Sequence, residues 1–316
     1  MSGGQQVNVY KKLVMKPGAI VEGSWNGSFD RGGTTYYVNN ITGSSTADGL
    51  SWNSAVAQVS QAVTLSEASR LVHVGTTTND YVRNTIVVQG TGTAYTKLTA
   101  LPLYCDIIGL GADPRGNGAG IARIGSDTVA ESGVVSTATV RGLNVYNIQF
   151  QAGKDMYCFS STSMFRSRFE NCTFMTNGAA TGNPTAAFYS TTALGGVVFE
   201  DCLVGGSNCS RDTEPDIGFK IAGTHFHTCK VQNCFIAGKD AGIQIASTVV
   251  NGWGSIVKDC FIGESSQTCA IGIDDNSTTG DIIFAGNYIF ATDAVELTTN
   301  GTGRTIGNIA ANAFTT

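Results

Sequence analysis

The acidic and imidazole side chains of this chain are few, so the places where they meet stand out. Asp274 and Asp275 adjoin in Gly272-Ile-Asp-Asp-Asn276. A carboxylate pair can act as general acid and base, or as nucleophile and acid. Strand alternation would send one of the two outward and the other inward. A second polar group comprises Arg211, Asp212, Glu214, Asp216, Lys239 and Asp240. It reads as a solvated loop about one repeat from Asp274. His225-Phe-His227 puts two imidazoles on one face of a strand, as a surface ladder or as a site. These sets are thin, and no catalytic residue is assigned. Asp274 and Asp275 are the best candidates if the chain does catalyse. No cofactor and no metal is expected: the chain has no C-x2-C pair of the kind zinc sites use.

The elements that would position these residues are repeats. Phe169-Glu-Asn-Cys-Thr-Phe174 recurs as Phe199-Glu-Asp-Cys-Leu-Val204, Val231-Gln-Asn-Cys-Phe-Ile236 and Val257-Lys-Asp-Cys-Phe-Ile262. Fainter copies are Val145-Tyr-Asn-Ile-Gln-Phe150, Ala285-Gly-Asn-Tyr-Ile-Phe290 and Ala310-Ala-Asn-Ala-Phe-Thr315. Aligned this way, the Asn/Asp column runs 147, 171, 201, 233, 259, 287 and 312, at spacings of 24 to 32 residues. Such a period signals stacked units. A second apolar piece follows each motif, as in Ile217-Gly-Phe-Lys-Ile221 and Ala241-Gly-Ile-Gln-Ile245. Each coil therefore has at least two strands and room for a third. About eight coils at about 4.8 Å each make a stack on the order of 40 Å long. Recurrence also explains the cysteines. Cys172, Cys202, Cys234 and Cys260 hold one repeat position and read as reduced core thiols.

Composition agrees. There are 40 Gly and only 5 Pro, without a Gly-X-Y period, which suits many tight turns between short strands. The net charge of -5, with 14% charged residues, argues against a nucleic-acid surface. No apolar run is long enough for a membrane helix, and Met1-Ser-Gly-Gly-Gln-Gln6 shows no signal-peptide pattern. Gly109 to Gly120 lacks the order of a phosphate-binding loop and reads as a corner between coils.

Residues 1–33 lie outside the repeat and read as a tail or an anchoring arm, with Tyr10, Trp25 and Phe29 available for burial. Thr35-Tyr-Tyr-Val38 reads as a strand. Ala55, Val56, Val59, Ala62, Val63 and Leu65 fall at helical spacing, so a capping helix is expected over about 54–68, with Ser51 or Asn53 as its cap. Leu71-Val-His-Val74 then reads as the next strand. Ile309 to Phe314 reads as a last, uncapped coil, which a partner would cover.

The run Tyr36-Tyr-Val-Asn39, Gly43-Ser44, Ala47-Asp-Gly-Leu-Ser-Trp52, Ala55 and Ala62 resembles the opening of right-handed parallel β-helix proteins of the pectate-lyase-like superfamily. It resembles most the versions in bacteriophage virion proteins and tailspikes. The resemblance is strong over about 35–75 and continues to 316 as rung pattern. It implies an all-β fold: a single-stranded right-handed parallel β-helix, a solenoid with an N-terminal capping α-helix over 34–316. It also implies a virion structural protein, a capsid-decorating or tailspike-like element exposed on the particle, with a glycan- or host-binding role. Partners would be further copies, a trimer by resemblance, and other virion proteins through residues 1–33 and the C-terminal coil. No nucleic acid and no membrane insertion are expected. The alternatives are a polysaccharide lyase or hydrolase acting in the groove, and a carbohydrate-binding adhesin without turnover. Against the enzyme, the Gly-His-Gly and Arg-x-Lys signatures of polygalacturonase-type sites are missing: the only histidines are His73, His225 and His227.

Overall fold

The computed structural model describes residues 33–74, 82–116, 118–176, 182–205, 214–263, 269–278, 281–291 and 304–312. Gly32–Thr316 forms one compact unit. Residues 1–32, which hold nearly all of the expected arm, lie outside the described residues, as do Arg211 and Asp212.

Among the described residues every strand pairing between coils is parallel, and the strands fall into three sheets of ten, eight and seven strands. One coil shows the plan. Arg168–Glu170 lies in the first sheet, Thr173–Phe174 in the second and Ala186–Gly195 in the third. The chain thus winds through three faces per turn as a right-handed parallel β-helix, with the third strand that the repeat length leaves room for. Identical positions stack in register, as in Phe169↔Phe199, Phe174↔Val204 and Phe188↔Phe219.

Corner geometry explains the motif. Asn147, Asn171, Asp201, Asn233 and Asp259 all have φ between 48° and 56°. This left-handed conformation costs an ordinary residue about 1–2 kcal/mol, and Asn and Asp tolerate it best after Gly. Each turns the chain from the first sheet into the second. The next residue points inward: Cys172, Cys202, Cys234 and Cys260 are buried and free. Their thiols do more than fill space. Cys172 Sγ donates to Val145 O at 3.4 Å and Cys260 Sγ to Val231 O at 3.6 Å, each a carbonyl of the preceding coil.

The last two copies require a correction. Pairing aligns Ala285 with Lys258 and Tyr288 with Phe261, so Gly286 takes the corner, at φ 63°, and Asn287 takes the cysteine position. Likewise Gly307 (φ 61°) is the next corner, followed by Asn308, while Asn312 lies at the far end of strand Ile309–Asn312. Position 312 therefore does not belong to the column. Asparagine stood in both places because it serves two purposes here: tolerance of positive φ outside, and hydrogen bonding inside.

The core is a bundle of phenylalanine columns, one from each sheet. Phe169–Phe199, Phe159–Phe188 and Phe150–Phe174 stack at 5.0, 5.4 and 5.2 Å, and rings from different columns meet edge to face. Below Phe219 the columns give way to Ile and Val, leaving an apolar void of about 10 Å³. It is too small and too apolar for a ligand.

At the N-terminal end, strand Thr35–Val38 pairs with Asn84–Gln89, and the helix Val59–Val74 adds buried Val59, Ala62 and Val63 to the same core. Asn84 Nδ2 donates to Ser66 O, and Glu67 accepts the Leu103 N–H, fixing the helix to the first coils. The helix is displaced from the expected 54–68. Ser51 caps a separate 3₁₀ turn, Trp52–Ser54; Ala55 is extended, and Val56 bridges Val38 and Ser44. Leu71–Val74 is the helix's last turn and not a strand, since no Gly or Pro interrupts the chain before Gly75. A short apolar run does not by itself distinguish the two. The Gly109–Gly120 segment is a pinned corner loop: Gln149 Nε2 donates to Pro114 O and Arg123 Nη2 to Gly118 O.

Candidate functional site

The outer side of the third sheet carries a line of groups capable of recognition. Its strands share the pattern of small and apolar residues followed by one outward residue. That residue is Tyr189 in Ala186–Gly195, Lys220 in Ile217–Ile221, Gln244 in Ala241–Ile245 and Asp274 in Ile271–Asp275. The four are in register, Tyr189↔Lys220, Lys220↔Gln244 and Gln244↔Asp274, and each is half-buried. Tyr157 stacks on Tyr189 at 4.7 Å, and Lys220 Nζ lies 5.8 Å from the Tyr189 ring centre. Gln244 Nε2 donates to Asp274 Oδ2 at 3.1 Å, and Asn276 Nδ2 to Oδ1 at 2.6 Å. The column runs from rings through a cation and an amide to a carboxylate.

Glycine keeps this sheet close to the second one. A Cβ on Gly242 would sit 2.5 Å from Ile262 Cγ2 and 2.8 Å from Gly272 O; one on Gly272 would sit 2.3 Å from Ile289 Cγ2. The register places Ala187 and Cys158, also small and fully buried, at the same level in earlier coils.

Asp274 and Asp275 separate as alternation demands. Asp275 is fully buried, its Oδ1 accepting the Ser277 N–H, and it faces inward under Ile245. The two carboxyls lie on opposite sides of the sheet and cannot flank one bond. Of the polar loop group, Asp216 and Asp240 stack on adjacent coils, joined by Asp240 N–H to Asp216 O at 2.8 Å. Burial raises the Asp216 carboxyl above the usual carboxylate range; the Asp240 charge adds to this and the Asn183 hydrogen bond opposes it.

His225 and His227 do share the outer face of strand His225–His227, with ring centres 5.7 Å apart. His227 stacks on Trp253 of the next coil at 5.5 Å, and Trp253 is 56% exposed. Burial, and after it His225, lower the His227 imidazole below its ordinary value. Thr228, a β-branched residue, follows at φ 53°, where Gly196 and Gly254 hold the equivalent corners. Lys220, Gln244 and Trp253 were not among the sequence candidates. Aligning the second apolar pieces at their fourth residue reveals the first two; Trp253 leaves no such signal. Among the described residues, no group of three His, Cys, Asp or Glu could hold a metal ion.

No family model matches the chain, and no curated protein matches it in sequence. Solved structures do match, among them three pectin methylesterases. The pectin methylesterase from Aspergillus niger, in penultimately deglycosylated form, is 13% identical with a TM-score of 0.51, covering 89% of this chain and 86% of that one. A pectin methylesterase in complex with a hexasaccharide is 13% identical with a TM-score of 0.49, over 87% of this chain and 89% of that one. The pectin methylesterase PemA from Erwinia chrysanthemi is 12% identical with a TM-score of 0.44, over 87% and 89%. At such identity the likeness establishes the fold alone.

Proposed function

We propose that this chain is a carbohydrate-binding β-helix displayed on a bacteriophage-type particle, a capsid-decorating or tailspike-like structural protein that holds a glycan without cleaving it. The observation that carries the binding is the column Tyr189–Lys220–Gln244–Asp274. A pyranose ring has apolar C–H faces and a hydroxyl rim. The column offers rings for the former and a cation, an amide and an acceptor for the latter, on rigid strands at one-coil spacing. The virion setting rests on the resemblance over Tyr36 to Ala62. Anchoring through residues 1–33, and assembly of several copies, belong to the same proposal.

The test is retention of the purified full chain on a panel of immobilised surface polysaccharides and pectin, with reducing-end release followed in parallel. Binding without release is expected. Lys220→Ala and Asp274→Asn should each weaken retention about tenfold, the worth of one charged hydrogen bond, with unchanged circular dichroism. Retention that both variants leave intact overturns the site. Release of oligosaccharides overturns the non-cleaving role and favours the depolymerase reading. One observation supports that second reading: Asp216, its carboxyl raised, beside Asp240 resembles an acid next to an ionised partner. In that case Asp216→Ala abolishes the release.

A further inference from the structure

We propose that His225 and His227 form a two-histidine chelate for a late first-row divalent metal ion, Zn(II) or Cu(II), on the outer face of their strand. The two residues are separated by one, so both rings project from the same side, with centres 5.7 Å apart and planes at 70°. Two imidazoles bound to one ion, each with a metal–nitrogen distance of about 2.0–2.1 Å, lie at a comparable separation. Neither ring needs to be ordered by the ion. Thr224 Oγ1 lies 3.4 Å from Thr192 O and 2.6 Å from His225 Nδ1. When it accepts the Nδ1–H, Nε2 is left as the lone-pair nitrogen, the support that metal-bound histidines receive from a neighbouring acceptor. His227 is held by the face of Trp253, 5.5 Å away at an interplanar angle of 21°.

The two nitrogens of His227 are differently placed. Nδ1 is buried and has no hydrogen-bond partner among the described residues, so no neighbour holds the second proton on Nε2. Nε2 lies over Gly195, where a Cβ would stand only 2.8 Å away. Any side chain there would press on the nitrogen, and glycine avoids that. No third His, Cys, Asp or Glu joins the pair among the described residues. The remaining coordination positions are therefore left to water or to an oxygen of a bound molecule, as in open rather than structural sites. Imidazole pairs suit zinc and copper, and Cu(II) binds more tightly than Zn(II).

The experiment uses Cu(II) and Zn(II) themselves on the untagged full chain, and no glycan, so its outcome is separate from that of the binding column. Cu(II) is titrated while tryptophan fluorescence is followed, and the loaded protein is examined by electron paramagnetic resonance. One equivalent is expected to quench the emission that Trp253→Phe removes and to show hyperfine structure from two nitrogens. His225→Ala and His227→Phe should each abolish the one-to-one step for both ions; the second keeps a ring on Trp253 and so preserves packing. Thr224→Val should weaken binding about tenfold, as loss of an outer partner does. Absence of a stoichiometric step in the wild type overturns the proposal. So does a step that survives in both histidine variants.

Discussion

Asn287 accepts the backbone N–H of Cys260 with its Oδ1 at 3.0 Å, one coil away, while its Nδ2 donates to Val257 O at 3.0 Å. The second bond repeats, with an amide, what the thiols of Cys172 and Cys260 do in earlier coils. Asn308 extends the series: its Nδ2 donates to Phe284 O at 3.0 Å and its Oδ1 accepts from Asn287 N at 2.9 Å. The inward column thus supplies donors to the preceding coil from Cys172, Cys202 and Cys260, and then from Asn287 and Asn308 at its end.

Replacing Asn287 by Ala leaves a buried N–H and a buried carbonyl without partners. A loss of about 3 kcal/mol is expected in urea denaturation, at 1–3 kcal/mol per orphaned group. Asn287→Cys should lose clearly less, since a thiol can still reach Val257 O. Equal losses for the two variants would show that the donor line carries no stability.

Gly242→Ala places a methyl 2.5 Å from Ile262 Cγ2 and is expected to destabilise by about 1–3 kcal/mol, the usual cost of overpacking. Adding Ile262→Ala removes the closer of the two clashes and leaves the one with Gly272 O. The double variant should therefore be more stable than the sum of the singles predicts. Strict additivity would sink the account of glycine as the residue that lets the two sheets approach.

Asp216 gives a pH signature. Its carboxyl is raised in the folded protein, by burial and then by Asp240, so the fold holds that proton more tightly than the unfolded chain does. Its contribution is favourable below the unfolded value of 3.8 and is lost as pH rises through the folded value. Asp216→Asn removes this loss. Relative to wild type, the variant should gain stability between about pH 3 and about pH 7, read by urea melts at both. A gain confined to the acidic end would reverse the sign and overturn the assignment.

Much of the fold was legible because one chemical demand recurs. Positive φ at 147, 171, 201, 233 and 259 selects Asn or Asp, and the inward residue after it is Ile148 in the first copy and a thiol in the other four. Legibility failed where the demands changed hands: Gly286 and Gly307 took the corner, and asparagine moved inside. Leu71–Val74 failed for another reason, since alternation over four residues fits a helix turn as well as a strand. The site was half-legible. Alternation separated Asp274 from Asp275 and joined His225 to His227. The partners of each, Gln244 and Trp253, come from other coils, and only the register brings them together.

From residue 144 on, the passage from first to second sheet is two residues, as in 171–172, 201–202, 233–234 and 259–260, whereas the coil before it uses the twelve residues 111–122. The passage from second to third sheet runs from four residues, 237–240, to twelve, 205–216. The second-to-third passage varies in every coil, and lengthening a loop there costs little and leaves the stacking untouched. These loops are a row of interchangeable sockets. Foreign peptides grafted there, one per coil, would be presented at a fixed pitch along stacked coils, making the protein a ruler.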